Sequence, residues 1–104
     1  MKYGYGWEKL TNAMALLVSS DDIRTRLINA AVYNLIHITP ERDLPEESRL
    51  KFIKLMQKFT AFDQVREEGQ IASSVNLMEE VNLNECAQEI LEIYKETAEA
   101  YIKQ

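Results

Sequence analysis

Cysteine occurs once in these 104 residues, at Cys86, so no disulfide can form within the chain and a reducing compartment is expected. Histidine also occurs once, at His37, and no glutamate lies three residues before it. The Glu-x-x-His pairs of a carboxylate di-metal bundle are therefore missing, as is any Cys/His ligand set. Three glycines and two prolines are too few for a turn-rich β architecture or for long linkers. There is no run of about 18 uncharged apolar residues, so no membrane span is expected. Met1-Lys2-Tyr3-Gly4-Tyr5-Gly6-Trp7 holds no apolar stretch resembling a signal peptide. Positive charge is scarce: 12 Lys/Arg stand against 17 Asp/Glu, a net of −5, which disfavours non-specific association with nucleic acid or anionic membrane. Gly-rich phosphate loops and nucleophile elbows are lacking as well. The expected class is a soluble, cytoplasmic, single-domain protein with no cofactor.

What the chain does contain is apolar content of 46%, enough for one core without a metal or a cross-link. It also contains a lopsided charge. Residues 1–62 hold nine Lys/Arg against seven Asp/Glu, a net of +2, whereas residues 63–104 hold three against ten, a net of −7. Such an asymmetry bears on partners rather than on chemistry.

The apolar period is helical nearly throughout. Trp7, Leu10, Met14, Leu17 and Val18 line a first helix over about 7–18, and Ser19-Ser20-Asp21-Asp22 supplies a stop and a new start. A second helix over about 21–37 carries two stripes, Ile23/Leu27/Ala31/Leu35 and Ile28/Val32/Ile36, which predicts a central position or burial by a partner. Thr39-Pro40 and Asp43-Leu44-Pro45-Glu46 form a break, with Asp43 and Glu46 at capping-box spacing. A third helix over about 45–61 buries Phe52, Leu55, Met56, Phe59 and Phe62 and shows Lys51, Lys54 and Lys58 on its other side. The polar stretch 63–70 reads as a flexible connection. A fourth helix over about 71–80 groups Ile71, Val75, Met78 and Val81. A last helix over about 83–103, launched by Asn82 and Glu85, has Cys86, Ile90, Tyr94, Ala98 and Tyr101 on its apolar side, with Ala87, Leu91 and Ile102 beside them. The expected fold is all-α, a compact bundle of four to five helices.

Several strings carry a resemblance: Gly6-Trp7-Glu8-Lys9-Leu10, the stretch Tyr33 to Pro40, Leu44-Pro45-Glu46-Glu47, Glu68-Gly69-Gln70-Ile71-Ala72 and Ile90-Leu91-Glu92-Ile93-Tyr94. Together they resemble a family of small, acidic, all-helical, uncharacterised bacterial proteins. The resemblance covers most of the chain and implies a helical fold in a bacterial cytoplasm; its motifs are structural punctuation and imply no chemistry.

Candidate reactive groups are few. His37 at a helix end suits carbonyl capping more than a triad, which would need Cys86 and an orienting carboxylate beside it. Cys86, on the apolar side of its helix, reads as a small buried hydrophobe rather than a thiolate. Glu85, Glu89, Glu92, Glu96 and Glu99 form one continuous strip, which is read as a solvated face, as a docking surface for a basic partner, or as a foil for Lys51, Lys54 and Lys58 within the same molecule. The functional expectation is a non-enzymatic protein-interaction module, binding a partner through this acidic C-terminal helix or forming a homodimer. A small acidic, antitoxin-like inhibitor that neutralises a basic protein is the alternative, and an enzyme or carboxylate metal-binding protein stands behind both.

Overall fold

The computed structural model describes residues 2–60 and 67–103, with backbone alone for 67 and 68, and these contain no strand. In chain order the elements are α1 (Gly4–Leu17), α2 (Ile23–Tyr33), a 3-10 turn (Leu35–His37), α3 (Pro40–Asp43), α4 (Glu46–Phe59), α5 (Glu67–Leu77) and α6 (Glu80–Ile102). The fold is all-α as expected, but the described residues form six α-helices rather than four or five. The extra one is α3: Pro40, preset for a first helical position, starts a single turn inside the expected break.

Being apolar round most of its circumference, α2 has to be enclosed, and α1, α5 and α6 enclose it. Leu27, Ala30 and Ala31 are buried, as is Leu35 in the turn beyond, while Ile23, Ile28, Val32 and Ile36 pack against the same core. Both stripes are thus covered by the chain's own helices, and Tyr33 is the large apolar side chain that α2 leaves exposed. Asp22, rather than a serine, caps the helix, accepting hydrogen bonds from the Thr25 amide and hydroxyl at 3.0 Å each. Two arginines of α2 then cap other helices. Arg26 Nη1 donates to the Leu17 carbonyl at 2.7 Å and Arg24 Nη1 to the Val75 carbonyl at 2.6 Å, each cation meeting the negative end of a neighbouring helix.

α1 begins at Gly4, three residues earlier than the apolar spacing suggests, because its glycines permit close approach. A Cβ on Gly6 would lie 2.2 Å from the Asp43 carbonyl oxygen, so α1 and α3 touch backbone to backbone there. Trp7 stacks on Tyr101 with ring centroids 5.3 Å apart and planes 12° from parallel, tying α1 to the last turn of α6. The N-terminal tip is therefore helical from Gly4.

The buried line of α6 is Leu83, Cys86, Ile90, Ile93 and Thr97, not the expected Tyr94, Ala98 and Tyr101 line, and Ile102 is 79% exposed. The sector is displaced because α6 packs on α1 and α2 from one side and on α4 from the other. α5 starts at Glu67, so the last residues assigned to the polar connection are helical; its residues 63–66, and the expected burial of Phe62, lie outside the described residues. α6 starts at Glu80 with Glu79 as its cap residue, which separates Val81 from the helix it was grouped with and puts Asn82 and Glu85 inside α6 rather than at a cap. Asp43 and Glu46 likewise make no capping box: α4 has Pro45 at its cap position with no side-chain bond.

Candidate docking cleft

Helices α4 and α6 face each other along a row of opposite charges. Glu85, Glu89, Glu92 and Glu96 each precede a buried residue of α6, and one helical step is roughly 100°. The strip therefore borders the core, beside α4, instead of lying opposite it. Lys58 Nζ reaches Glu89 at 2.8 Å; Lys51 Nζ reaches Glu92 at 3.0 Å and also pairs with Glu96, which accepts the Ser48 hydroxyl at 2.8 Å. Hydrogen bonding to Glu96 and Glu92 raises the Lys51 ammonium above its ordinary value, and hydrogen bonding to Glu89 does the same for Lys58. Glu99 pairs with Lys103 at 2.7 Å one turn on. Of the five glutamates picked out from the sequence, four are thus engaged within the chain, and Glu85 has no ion pair among the described residues.

Glu85 stands at the rim of a cleft of about 400 Å³ where the end of α4, the end of α5 and the start of α6 converge. Lys58, Ser74, Leu77, Met78, Asn82, Glu85 and Cys86 line it. That volume falls within the usual range of small-ligand and anchor pockets, roughly 300–1,000 Å³. Ser74 is 2% exposed and its Oγ has no hydrogen-bond partner among the described residues. Cys86 Sγ lies 4.0 Å from the Met78 thioether sulfur, and burial pushes the Cys86 thiol up to about 11, with Lys58 opposing only in part, so it is a neutral thiol at physiological pH. Outside, Leu77 is 65% and Val81 59% exposed, on either side of the α5–α6 junction. Glu79 and Glu80 at that junction carry no ion pair among the described residues.

Ser74, Leu77, Met78 and Asn82 were not among the sequence candidates. A signal for them existed: Leu77 falls off the Ile71/Val75/Met78 stripe, and an apolar residue outside the buried stripe of a short helix marks surface of a different use. Asn82 and Glu85 were visible as a pair, but their spacing fits a helix cap as well as a cleft wall.

The remaining sites offer less. His37 is exposed in the 3-10 turn and no hydrogen bond joins it to Cys86 among the described residues. No group of three or more His, Cys, Asp or Glu is placed to hold a metal ion among the described residues. A second, open groove of about 720 Å³ is lined by Lys2, Tyr3, Tyr5, Arg42 and Asp43. Its polar groups are turned on one another: Asp43 accepts from the Thr39 amide at 2.7 Å and from Arg42 at 2.8 Å, and the Arg42 guanidinium lies 5.6 Å from the centre of the Tyr5 ring. No family model, curated protein or solved structure matches this chain, so the cleft and the charges around it carry the functional reading.

Proposed function

We propose that this chain is a non-enzymatic, cytoplasmic interaction module that receives a basic, amphipathic segment of another protein across the cleft at the α5–α6 junction. The observation that carries the reading is the meeting of apolar and acidic groups at one place. Exposed Leu77 and Val81 lie at an open cleft, and Glu79, Glu80 and Glu85, which make no ion pair among the described residues, stand beside them. A partner with apolar side chains between Lys or Arg residues complements both features and is steered by the net charge of −5. Inhibition by charge mimicry draws on the same three glutamates, because Glu89, Glu92, Glu96 and Glu99 are already paired internally. Burial of Cys86, which pushes its thiol up to about 11, fits a lining group of a binding cleft better than a nucleophile.

Affinity purification from the native cell, beside the double variant Leu77→Ser/Val81→Ser, tests this. The expected result is a basic protein held by the natural chain at low salt, released at high salt and not captured by the variant. Its basic segment, made as a peptide, should bind the purified chain with the same sensitivities. Capture that ignores the variant overturns the reading. So does a strict monomer in light scattering with no salt-sensitive partner, and so does a homodimer abolished by the same double substitution, which would seat a second copy on this face.

A further inference from the structure

We infer that the outward face of α4 seats a second copy of this chain, the two helices lying antiparallel about a two-fold axis at Leu50. α4 turns Ser48, Phe52, Leu55 and Phe59 inwards. Its other side carries Leu50 and Ile53, which are 61% and 38% exposed. At roughly 100° per residue, Leu50 stands about 200° round the helix from Phe52, so the chain's own core lies on the far side of it. None of the residues on this face lines the cleft at the α5–α6 junction, so the two surfaces are independent.

The charges around Leu50 name the occupant. Glu46 and Glu47, in the first turn of α4, come four and three residues before it, and Lys54 comes four after it. Glu46, Leu50 and Lys54 therefore share one ridge of the helix surface, acidic at one end and basic at the other. Neither Glu46 nor Lys54 makes an ion pair among the described residues, whereas Lys51 and Lys58 are taken up by the glutamates of α6. A ridge that reads minus, apolar, plus is complementary to its own reversed copy, and a two-fold axis performs that reversal. The two leucines meet, and Lys54 of each copy comes to the first-turn carboxylates Glu46 and Glu47 of the other. Antiparallel helices also set opposite dipole ends side by side. A uniformly basic or uniformly acidic partner would match one end of the ridge and clash with the other. With 14 residues α4 is about 21 Å long, so the seam is small for a protein interface, and the dimer is weak, forming over roughly 0.05–1 mM.

Sedimentation velocity on the intact chain at low salt, from about 20 µM to about 1 mM, tests this. The expected result is a monomer that becomes a dimer as the concentration rises. Leu50→Ser should stay monomeric throughout, with helical circular dichroism unchanged because the position is exposed. Lys54→Glu turns two symmetry-related attractions into repulsions at once and should weaken the dimer roughly tenfold. Adding Glu46→Lys to Lys54→Glu returns the net charge to −5 and should recover part of that loss. Leu77→Ser/Val81→Ser, which alters the cleft region, should dimerise like the natural chain. A natural chain that is monomeric at the highest concentration overturns the inference. So does a dimer that survives Leu50→Ser, ignores Lys54→Glu or is lost in Leu77→Ser/Val81→Ser, and so does a double charge reversal that associates no better than Lys54→Glu alone.

Discussion

Asp43 shows how one side chain can be recognised from sequence and still be given the wrong task. Its spacing to Glu46 suggests a cap for α4, whereas the carboxylate turns back and accepts the Thr39 amide and the Arg42 guanidinium, closing the single turn of α3. Burial alone would raise its pKa, but the hydrogen bonds from Arg42 and Thr39 outweigh it and hold the carboxyl below the ordinary 3.8. A depressed carboxylate contributes stability that is complete above its unfolded value and is lost as the pH falls through its folded one. Asp43→Asn should therefore cost about 1–3 kcal/mol at pH 7, the scale of hydrogen bonds to a charged group. The gap from the natural chain should begin to narrow below about pH 4, where the unfolded chain's carboxyl takes up its proton, and should close as the pH falls through the lower folded value. Denaturant unfolding at pH 7 and pH 3 measures both, and a gap that does not change with pH would refute the assignment. Single residues were legible where local chemistry decides, as with Cys86 on a buried face. They were illegible where a partner forty or more positions away decides: nothing near Ser48 in the sequence announces Glu96, and nothing near Arg24 announces the Val75 carbonyl.

At the scale of helices, the contest is between a strip of like charges on α6 and the lysines of α4. Glutamates at three- and four-residue steps destabilise an isolated helix slightly, and α4 relieves this by placing Lys51 between Glu92 and Glu96 and Lys58 against Glu89. Lys51→Glu should gather three carboxylates at one point and lower the unfolding midpoint further than Lys51→Gln does. Adding Glu96→Lys to Lys51→Glu should recover part of the loss, and the whole series should converge in high salt, where surface charges are screened. Lys51 is held above its ordinary 10.5, so its contribution is complete below that pH and is lost as the pH rises through the folded value. Urea titrations at pH 8 with and without added salt decide the matter: a midpoint order that salt leaves untouched would mean that shape, not charge, joins these helices. The period of the apolar residues located five of the helices, because burial of one face dictates it. It found the buried face of α6 at Cys86 and Ile90 but continued it along Tyr94, Ala98 and Tyr101 rather than Ile93 and Thr97, and it missed α3, whose four residues are too short to show a period.

Taken whole, the chain packs its described helices round a single contiguous core running from Leu10 and Leu17 through Leu27, Leu35, Phe52 and Phe59 to Ile90 and Ile93. The Cα radius of gyration, 13.0 Å, is that of about 100 residues folded into one body. No helix among the described residues is long and apolar enough to cross a membrane. The architecture was legible because hydrophobic patterning sets it. The cleft was not, since three helix ends meet there and no local pattern encodes a meeting point. The lysine-to-glutamate seam between α4 and α6 has a consequence for how the chain could be divided. Severed between Phe59 and Glu67, it would yield one cationic and one anionic piece, residues 1–62 and 63–104 carrying +2 and −7. Each piece would hold half of every bridge in the seam. Mixed in dilute buffer, the pieces should recover helical circular dichroism by reassociation. Their affinity should fall with ionic strength, and reversal of Lys51 and Lys58 to Glu on the first piece should weaken pairing further while the shared core still draws the pieces together, as in a zipper with some teeth reversed.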